Sequence, residues 1–98
     1  MLDKTNFYLN LGKNINKARE EKGYSMDKFI EVANLNMSKS TLSVIENGKQ
    51  QISAFQLYLV VEALDLKLSE LLKSLESMDG QSQEDLLNKN DISKLENL

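Results

Sequence analysis

Residues 38–49 read Ser-Lys-Ser-Thr-Leu-Ser-Val-Ile-Glu-Asn-Gly-Lys, and this stretch predicts one short helix with two unlike faces. Successive residues of a helix lie about 100° apart, so Leu42 and Ile45 share one side, which is suited to burial. Lys39 lies on the flank, and Gly48 is placed to end the helix. The opposite, outward face carries small hydroxyls, one amide and one valine, from Ser40, Ser43, Val44 and Asn47.

The character of this outward face suggests what it contacts. A solvated surface helix usually carries several charged residues, whereas this face is nearly uncharged. Hydroxyl, amide and methyl groups suit contact with the edges of base pairs in a major groove. The alternative is a serine-rich surface helix without such a role, and the neighbouring sequence favours the first interpretation.

A second helix is predicted directly upstream, over residues 25–33. Ser25 is a suitable N-cap, and an acidic residue follows in the first turn. An apolar stripe comes next, formed by Phe29, Ile30 and Ala33 or Val32. Residues 34–37 predict a short polar connection, after which Ser38 or Ser40 can cap the next helix. Helix, short turn and helix make up the helix-turn-helix unit, whose second helix lies in the major groove.

The order of residues over a longer stretch carries a resemblance to a known family. Arg19, Gly23 and Ser25 are followed, after a gap, by Thr-Leu-Ser-Val-Ile-Glu-Asn-Gly-Lys at residues 41–49. This pattern resembles the phage-repressor and Cro-like (XRE-type) DNA-binding domains, over roughly residues 10–73. The resemblance implies an all-α fold, a compact five-helix helix-turn-helix domain with a short C-terminal helical or frayed tail.

Two departures from the family pattern matter. The glutamine that begins the first motif helix and usually touches a phosphate is Met26 here, so that role is not carried over. Gly23 and Glu46 are also two residues further apart than in the usual pattern. We place the extra pair in residues 33–37, where it lengthens the turn. Ile30 then occupies a site that is usually a small alanine.

Base-contacting residues are predicted on the second motif helix. By resemblance, Lys39, Ser40 and Val44 match positions from which related repressors reach base edges, and Ser43 lies on the same face. A lysine can donate to guanine, a serine can serve either partner, and a valine suits the methyl group of thymine. For Lys39 a phosphate contact or a solvated charge is an equal alternative. The residues after the helix are better placed for phosphates, namely Asn47, Lys49, Gln50 and Gln51.

Arg19 is the single arginine of the chain. Arginine to guanine is the commonest specific base contact, which makes a reading role the alternative for this residue. By resemblance, however, Arg19 pairs with Glu46 and ties the first helix to the second motif helix. We therefore predict a structural ion pair.

Apolar spacing predicts a first, a fourth and a fifth helix, over residues 6–22, 53–64 and 69–77. We divide the chain into a DNA-binding domain over residues 1–77 and an acidic C-terminal tail over residues 78–98. The tail is a possible dimerisation or partner segment. The fifth helix and the tail together are the predicted dimer surface. Four residues of this surface have no evident place in the domain core: Leu75, Met78, Leu86 and Leu87.

The composition narrows the function further. The chain has 98 residues and no histidine, cysteine or proline, so one small domain without a disulfide, metal site or cofactor is expected. No paired nucleophile and base or paired carboxylates indicate an enzyme. No apolar run reaches transmembrane length and no signal-peptide pattern is present, which predicts a cytoplasmic protein without membrane contact.

The net charge of −3 is unusual for a protein that binds DNA. Residues 1–75 carry ten basic and nine acidic side chains, whereas residues 76–98 carry two and six. The acidity therefore lies in the tail, and the domain is nearly neutral. We expect little non-specific binding, because basic residues supply most of it.

These observations predict a sequence-specific regulator of transcription that binds double-stranded DNA. We expect a repressor that acts as a homodimer on an inverted-repeat operator. The acidic, amphipathic tail raises a second interpretation, the antitoxin of a toxin–antitoxin pair, in which the tail binds a protein partner. A controller protein of a restriction–modification operon is a third.

Overall fold

The computed structural model describes residues 3–73 and residue 75. Within this part the chain forms four complete helices and a fifth, α5, over residues 68–73. The complete helices are α1 (Lys4–Glu21), α2 (Met26–Ala33), α3 (Lys39–Glu46) and α4 (Ala54–Leu64). The described residues contain no strand, and the predicted five-helix, all-α fold is confirmed. The predicted end of the fifth helix at Ser77 and the tail over residues 78–98 lie outside the described residues.

Each complete helix begins at a side chain that accepts a backbone N–H of its first turn. Asp3, Ser25, Ser38 and Ser53 are these N-caps. Asp3 Oδ1 accepts from the N–H of Asn6 at 2.8 Å, so α1 begins two residues before the predicted start at Asn6. Of the two serines considered for α3, Ser38 is the cap, and Ser53 forms the predicted capping box with Gln56.

The start of α5 differs from the prediction. The helix begins at residue 68, not with Ser69 as its first residue. Glu70 Oε1 accepts the backbone N–H of Lys67 at 2.8 Å, and this bond satisfies the donor that precedes the helix. A glutamate three residues into a helix therefore fixes its start here more strongly than a nearby serine does.

All four complete helices end in the same way, with a left-handed residue that reverses the chain. The φ angle at these residues is 78° at Gly23 and Gly48 and 57° at Asn34 and Asp65. After Asn34, the N–H of Leu35 bonds to the carbonyl of Ile30 at 3.0 Å, and the N–H of Asn34 bonds to that of Glu31 at 3.1 Å. This pair of bonds defines a Schellman motif.

The Schellman motif explains why the connection between α2 and α3 is less polar than predicted. Leu35 is only 6% exposed and belongs to the core, and Met37 packs against it. A hydrophobic contact by the residue after the left-handed position commonly accompanies this motif. The prediction of a polar connection over residues 34–37 was therefore wrong. The connection has five residues, 34–38, which exceeds the three or four of the usual helix-turn-helix turn.

The core is a single cluster in which all five helices take part. It includes Ala33, whereas Val32 is 42% exposed, which decides between the two alternatives for the α2 stripe. Leu75 is 2% exposed, so its predicted role in a dimer surface was wrong. The reason is tertiary: α5 folds back along α1, where Asn14 Nδ2 donates to the carbonyl of Leu71 at 2.8 Å.

α1 lies very close to the end of α3 at two glycines. A Cβ atom added at Gly12 would lie 2.5 Å from the carbonyl oxygen of Ile45 and 2.6 Å from that of Glu46. One added at Gly48 would lie 2.5 Å from the Cα of Leu9. Both distances are far shorter than a carbon side chain tolerates, so glycine at these positions allows α3 to sit directly on α1.

Candidate nucleic-acid interface

The helix α3 lies with one face in the core and the other at the surface. Leu42 and Ile45 are 0% and 3% exposed, and they anchor the inner face. The outer face holds the four side chains predicted to read bases: Lys39 and Ser40 are exposed, while Ser43 and Val44 are half-buried. The four predicted phosphate contacts follow at the end of the helix and are all exposed: Asn47, Lys49, Gln50 and Gln51.

Arg19 and Glu46 form a two-point ion pair between α1 and α3. Arg19 Nε donates to Glu46 Oε2 at 2.8 Å, and Arg19 Nη2 donates to Glu46 Oε1 at 3.1 Å. The two side chains are 8% and 4% exposed. Asn16 Nδ2 donates to Glu46 Oε1 at 2.8 Å, and Arg19 Nη1 donates to the carbonyl of Tyr24 at 2.6 Å. The guanidinium is thus held inside the domain by protein partners on several sides.

The surroundings of Arg19 keep it charged. The hydrogen bond to Glu46 raises the pKa of Arg19 above its ordinary value, against burial, which lowers it; the charges of Glu46 and Glu20 raise it further. A group whose pKa is raised by folding contributes its stability fully at every pH below its unfolded pKa. That contribution is lost only as the pH rises through the folded pKa, so the arginine end of this pair does not titrate in the neutral range.

A cleft of about 220 Å³ lies beside the C-terminal end of α3, and its lining comes from α1, α2 and α3. It is lined by Ser43 and Glu46 of α3, Asn47 directly after it, Lys13 and Asn16 of α1, and one apolar side chain, Met26 of α2. Met26 stands where the family pattern places a phosphate-binding glutamine. Lys13 supplies a cationic group at the same cleft, and sequence reasoning did not identify it.

A second cleft, of about 180 Å³, lies just beyond the C-terminal end of α3. Its lining brings together the first turn of α1 and the segment that follows α3: Lys4, Thr5, Tyr8, Gly48, Lys49, Gln50 and Gln51. Lys4 and Lys49, which are distant in sequence, therefore line one site with two amide side chains. Ammonium and amide groups are common phosphate ligands in protein–DNA complexes.

The two clefts change the electrostatic picture given by composition. Lys4, Lys13 and Lys49 line them, whereas the one acidic residue that lines either cleft is Glu46. The charge of Glu46 is already balanced by its ion pair with Arg19. This surface is therefore more basic than the near-equal counts of acidic and basic residues in the domain suggest.

One sequence signal could have placed Asn16. It precedes Arg19 by three residues, so the two side chains lie only about 60° apart around α1. Lys13 precedes Arg19 by six residues, about 120° around the helix, so the position of Arg19 does not place it. No comparable signal exists for Lys4, because its approach to Lys49 depends on how the chain folds back.

Two other kinds of site are absent from the described residues. No helix there is both long enough and apolar enough to cross a membrane. No group of three or more histidine, cysteine, aspartate or glutamate residues there is arranged to hold a metal ion.

Comparison with known proteins agrees with the geometry of α2 and α3. A helix-turn-helix family model matches residues 15–71, a span that includes α2, α3, α4 and the ion pair between Arg19 and Glu46. None of the curated proteins matches the sequence significantly. With the capped α2, the turn and the half-exposed α3 in place, the chain belongs to the XRE/Cro-like helix-turn-helix family of DNA-binding transcription regulators.

Proposed function

We propose that this protein is a sequence-specific repressor that binds an inverted-repeat operator in double-stranded DNA as a homodimer. The observation that carries the proposal is the outer face of α3, which is nearly uncharged and hydrogen-bonding, with two clefts lined by lysines beside and just beyond its C-terminal end. Such an arrangement lets α3 enter a major groove while the lysines near its C-terminal end hold phosphates of the neighbouring backbone.

The two groups of contacts have different roles in this proposal. Lys39, Ser40, Ser43 and Val44 read the edges of bases in the major groove. Lys49 with the neighbouring amides holds one stretch of backbone, and Lys13 takes the phosphate role that Met26 cannot perform. Arg19 and Glu46 contact no base and fix the position of α3 on α1.

A dimer follows from the size of the reading surface. One helix of eight residues contacts only a few base pairs, so two copies are needed to select one operator. Two-fold symmetry then requires an inverted repeat with half-site centres about one helical turn, roughly 10 base pairs, apart. Repression is the simplest outcome, because a dimer that occupies promoter DNA excludes other proteins from it.

Selection of binding sites from random duplexes tests this proposal directly. We expect the enriched sequences to show inverted symmetry, with half-site centres about 10 base pairs apart. A promoter that carries the enriched sequence should be silenced by the protein in a reporter assay. Enriched sites without inverted symmetry would contradict the dimer, and activation of the reporter would contradict repression.

Substitutions in α3 and in the flanking clefts should have different effects. Lys39→Ala and Val44→Ala should relax preference at one or two symmetric positions, at a cost of about 1–3 kcal/mol for a well-made contact and less for the methyl group. Lys13→Ala and Lys49→Ala should instead weaken binding to every duplex and flatten its salt dependence by about one unit per protomer. Titrations on the cognate duplex and its single-base variants, at several salt concentrations, separate the two classes.

The opposite pattern of effects would contradict the assignment of the base-reading residues to α3. If Lys39→Ala and Val44→Ala discriminate bases as the parent does while Lys49→Ala loses specificity, then the reading residues lie beyond the end of α3. Glu31→Ala is a suitable control, because Glu31 is exposed on α2, and its one ion pair among the described residues is a surface contact with Lys28 at 3.6 Å.

The sequence of the tail supports a second candidate function, an antitoxin. Residues 76–98 carry six acidic and two basic side chains among several leucines, a composition suited to a basic, partly apolar protein partner. Co-expression with the product of a neighbouring gene tests this. If the protein relieves the toxicity of that product, an antitoxin is favoured. If the product is a nuclease that occurs together with a methyltransferase, a controller protein is favoured instead.

A further inference from the structure

The outward face of α4 is apolar and has no partner within the described residues. Two large aromatic residues dominate it: Phe55 is 70% exposed and Tyr58 is 57% exposed. They lie three residues apart, so both side chains project from the same side of the helix. We call this the α4 outer face and define it by Ala54, Phe55, Tyr58, Leu59 and Glu62.

No other described apolar side chains reach this degree of exposure. The remaining exposed large hydrophobic residues are Leu9, Val32 and Leu68, at 36%, 42% and 45%. Single exposed hydrophobic residues are ordinary, but adjacent aromatic residues on a small domain indicate a contact surface. Neither aromatic side chain is needed for the core, because the buried side of α4 is already filled by Val60, Val61 and Leu64.

We propose that a second copy of this chain covers the α4 outer face, so that Phe55 and Tyr58 form the centre of the dimer. This inference rests on the proposed function, which requires two copies related by a two-fold axis. It differs from the dimer surface predicted from sequence, of whose residues Leu75 is buried within the monomer, while Met78, Leu86 and Leu87 lie outside the described residues.

The position of the face along the chain fits that axis. α4 begins at Ala54, with only Ile52 and Ser53 between it and the exposed segment over residues 49–51 that lines the second cleft. The aromatic pair therefore adjoins the end of the DNA-facing surface. We therefore expect two copies joined at this point to present both α3 helices to one side of a duplex.

Charge favours a second copy over other partners. Glu62 is the one acidic residue of the α4 outer face, which has no lysine or arginine, and it lies one turn beyond Tyr58. DNA would find no cation on this face, and an acidic or basic protein would find little to complement. A second copy is a suitable partner, because no like charges of the two copies meet where the aromatic residues pack together.

The exposed area predicts how strong the dimer is. At 70% and 57% exposure, Phe55 and Tyr58 together offer roughly 200–300 Å² per protomer, below the roughly 800 Å² of a standard interface. Association in free solution should therefore be weak. An inverted repeat that binds both copies raises their effective concentration and completes the dimer, so binding to the full site should be cooperative.

Cross-linking tests the location of this contact, because the full chain contains no cysteine. Tyr58→Cys places one thiol on the α4 outer face, and Val32→Cys places one at an exposed apolar position on α2 as a matched control. With a short bis-maleimide we expect covalent dimers of Tyr58→Cys, strongly enhanced by a selected full-site duplex. Val32→Cys should give none above background. Equal cross-linking of both variants, or cross-linking of Val32→Cys alone, would overturn the inference.

Cooperativity gives the second measurement. The double variant Phe55→Gln/Tyr58→Gln removes the apolar contact without adding charge and should bind a single half-site as the parent does. On the full site it should lose at least about tenfold in affinity, equal to about 1.4 kcal/mol. Unchanged full-site cooperativity, on a duplex whose inverted symmetry is established, would overturn the α4 contact while leaving the proposed function intact. Selection of sites without that symmetry would instead remove the dimer itself.

Discussion

Arg19→Ala should destabilise the folded domain by about 3–5 kcal/mol, because it leaves the carboxylate of Glu46 buried without its cation. Glu46→Ala should cost a similar amount, since it strands the guanidinium in turn. A domain of this size has a total stability of only about 0.05–0.15 kcal/mol per residue, so either change removes a large part of it. Thermal unfolding without DNA should show a fall in Tm of more than about 10 °C.

The chain offers a matched control for this prediction. Glu20 lies 4.0 Å from Arg19, but its side chain is 66% exposed, so Glu20→Ala removes the same kind of charge from the surface. Exposed ion pairs contribute about 0–1 kcal/mol, and the Tm of this variant should stay close to that of the parent. If Arg19→Ala unfolds like the parent yet loses base preference, then Arg19 reads bases and the structural assignment fails.

The features predicted correctly from sequence are those that local chemistry determines. Serine caps, glycine stops and the spacing of leucine and isoleucine act within one or two turns, and they located the helices to within a few residues. The start of α1 was missed because Asp3, a cap as good as serine, lies close to the chain terminus. The end of α2 was placed correctly, but the burial of Leu35 depends on a Schellman motif at an asparagine, which glycine-based reasoning overlooks.

The features that sequence did not reveal depend on contacts between distant segments. Leu75 is apolar, and only the return of α5 along α1 decides that it is buried in the monomer. Lys4 meets the segment after α3 because the N-terminal turn of α1 lies there, a proximity that no periodic pattern encodes. The candidate site thus combines a helix that sequence identifies with cations that tertiary structure supplies.

Gly12 is the strongest case of a residue whose importance is invisible in sequence. Glycine inside a helix normally costs about 1 kcal/mol relative to alanine, so local reasoning predicts that Gly12→Ala stabilises α1. The structure predicts the opposite effect, a loss of stability. The added Cβ would lie 2.5 Å from the carbonyl oxygen of Ile45 and 2.8 Å from the carbonyl carbon of Glu46. These are backbone atoms, which cannot rotate away as a flexible side chain does.

We therefore expect Gly12→Ala to lower the free energy of unfolding by about 3 kcal/mol, at the upper end of the usual cost of overpacking. Urea denaturation measures this as a lower midpoint with an unchanged slope. Operator binding should fall too, because α3 is pushed away from α1 at the residue that pairs with Arg19.

Gly23→Ala separates this clash from the loss of a glycine as such. Gly23, unlike Gly12, has a positive φ, and nothing lies within 4 Å of its added Cβ, so only backbone strain of about 1–2 kcal/mol is expected. If Gly12→Ala is as stable as the parent, or more stable, then the ends of α1 and α3 separate easily. The close seating of α3 on α1 would then not be what fixes the reading surface.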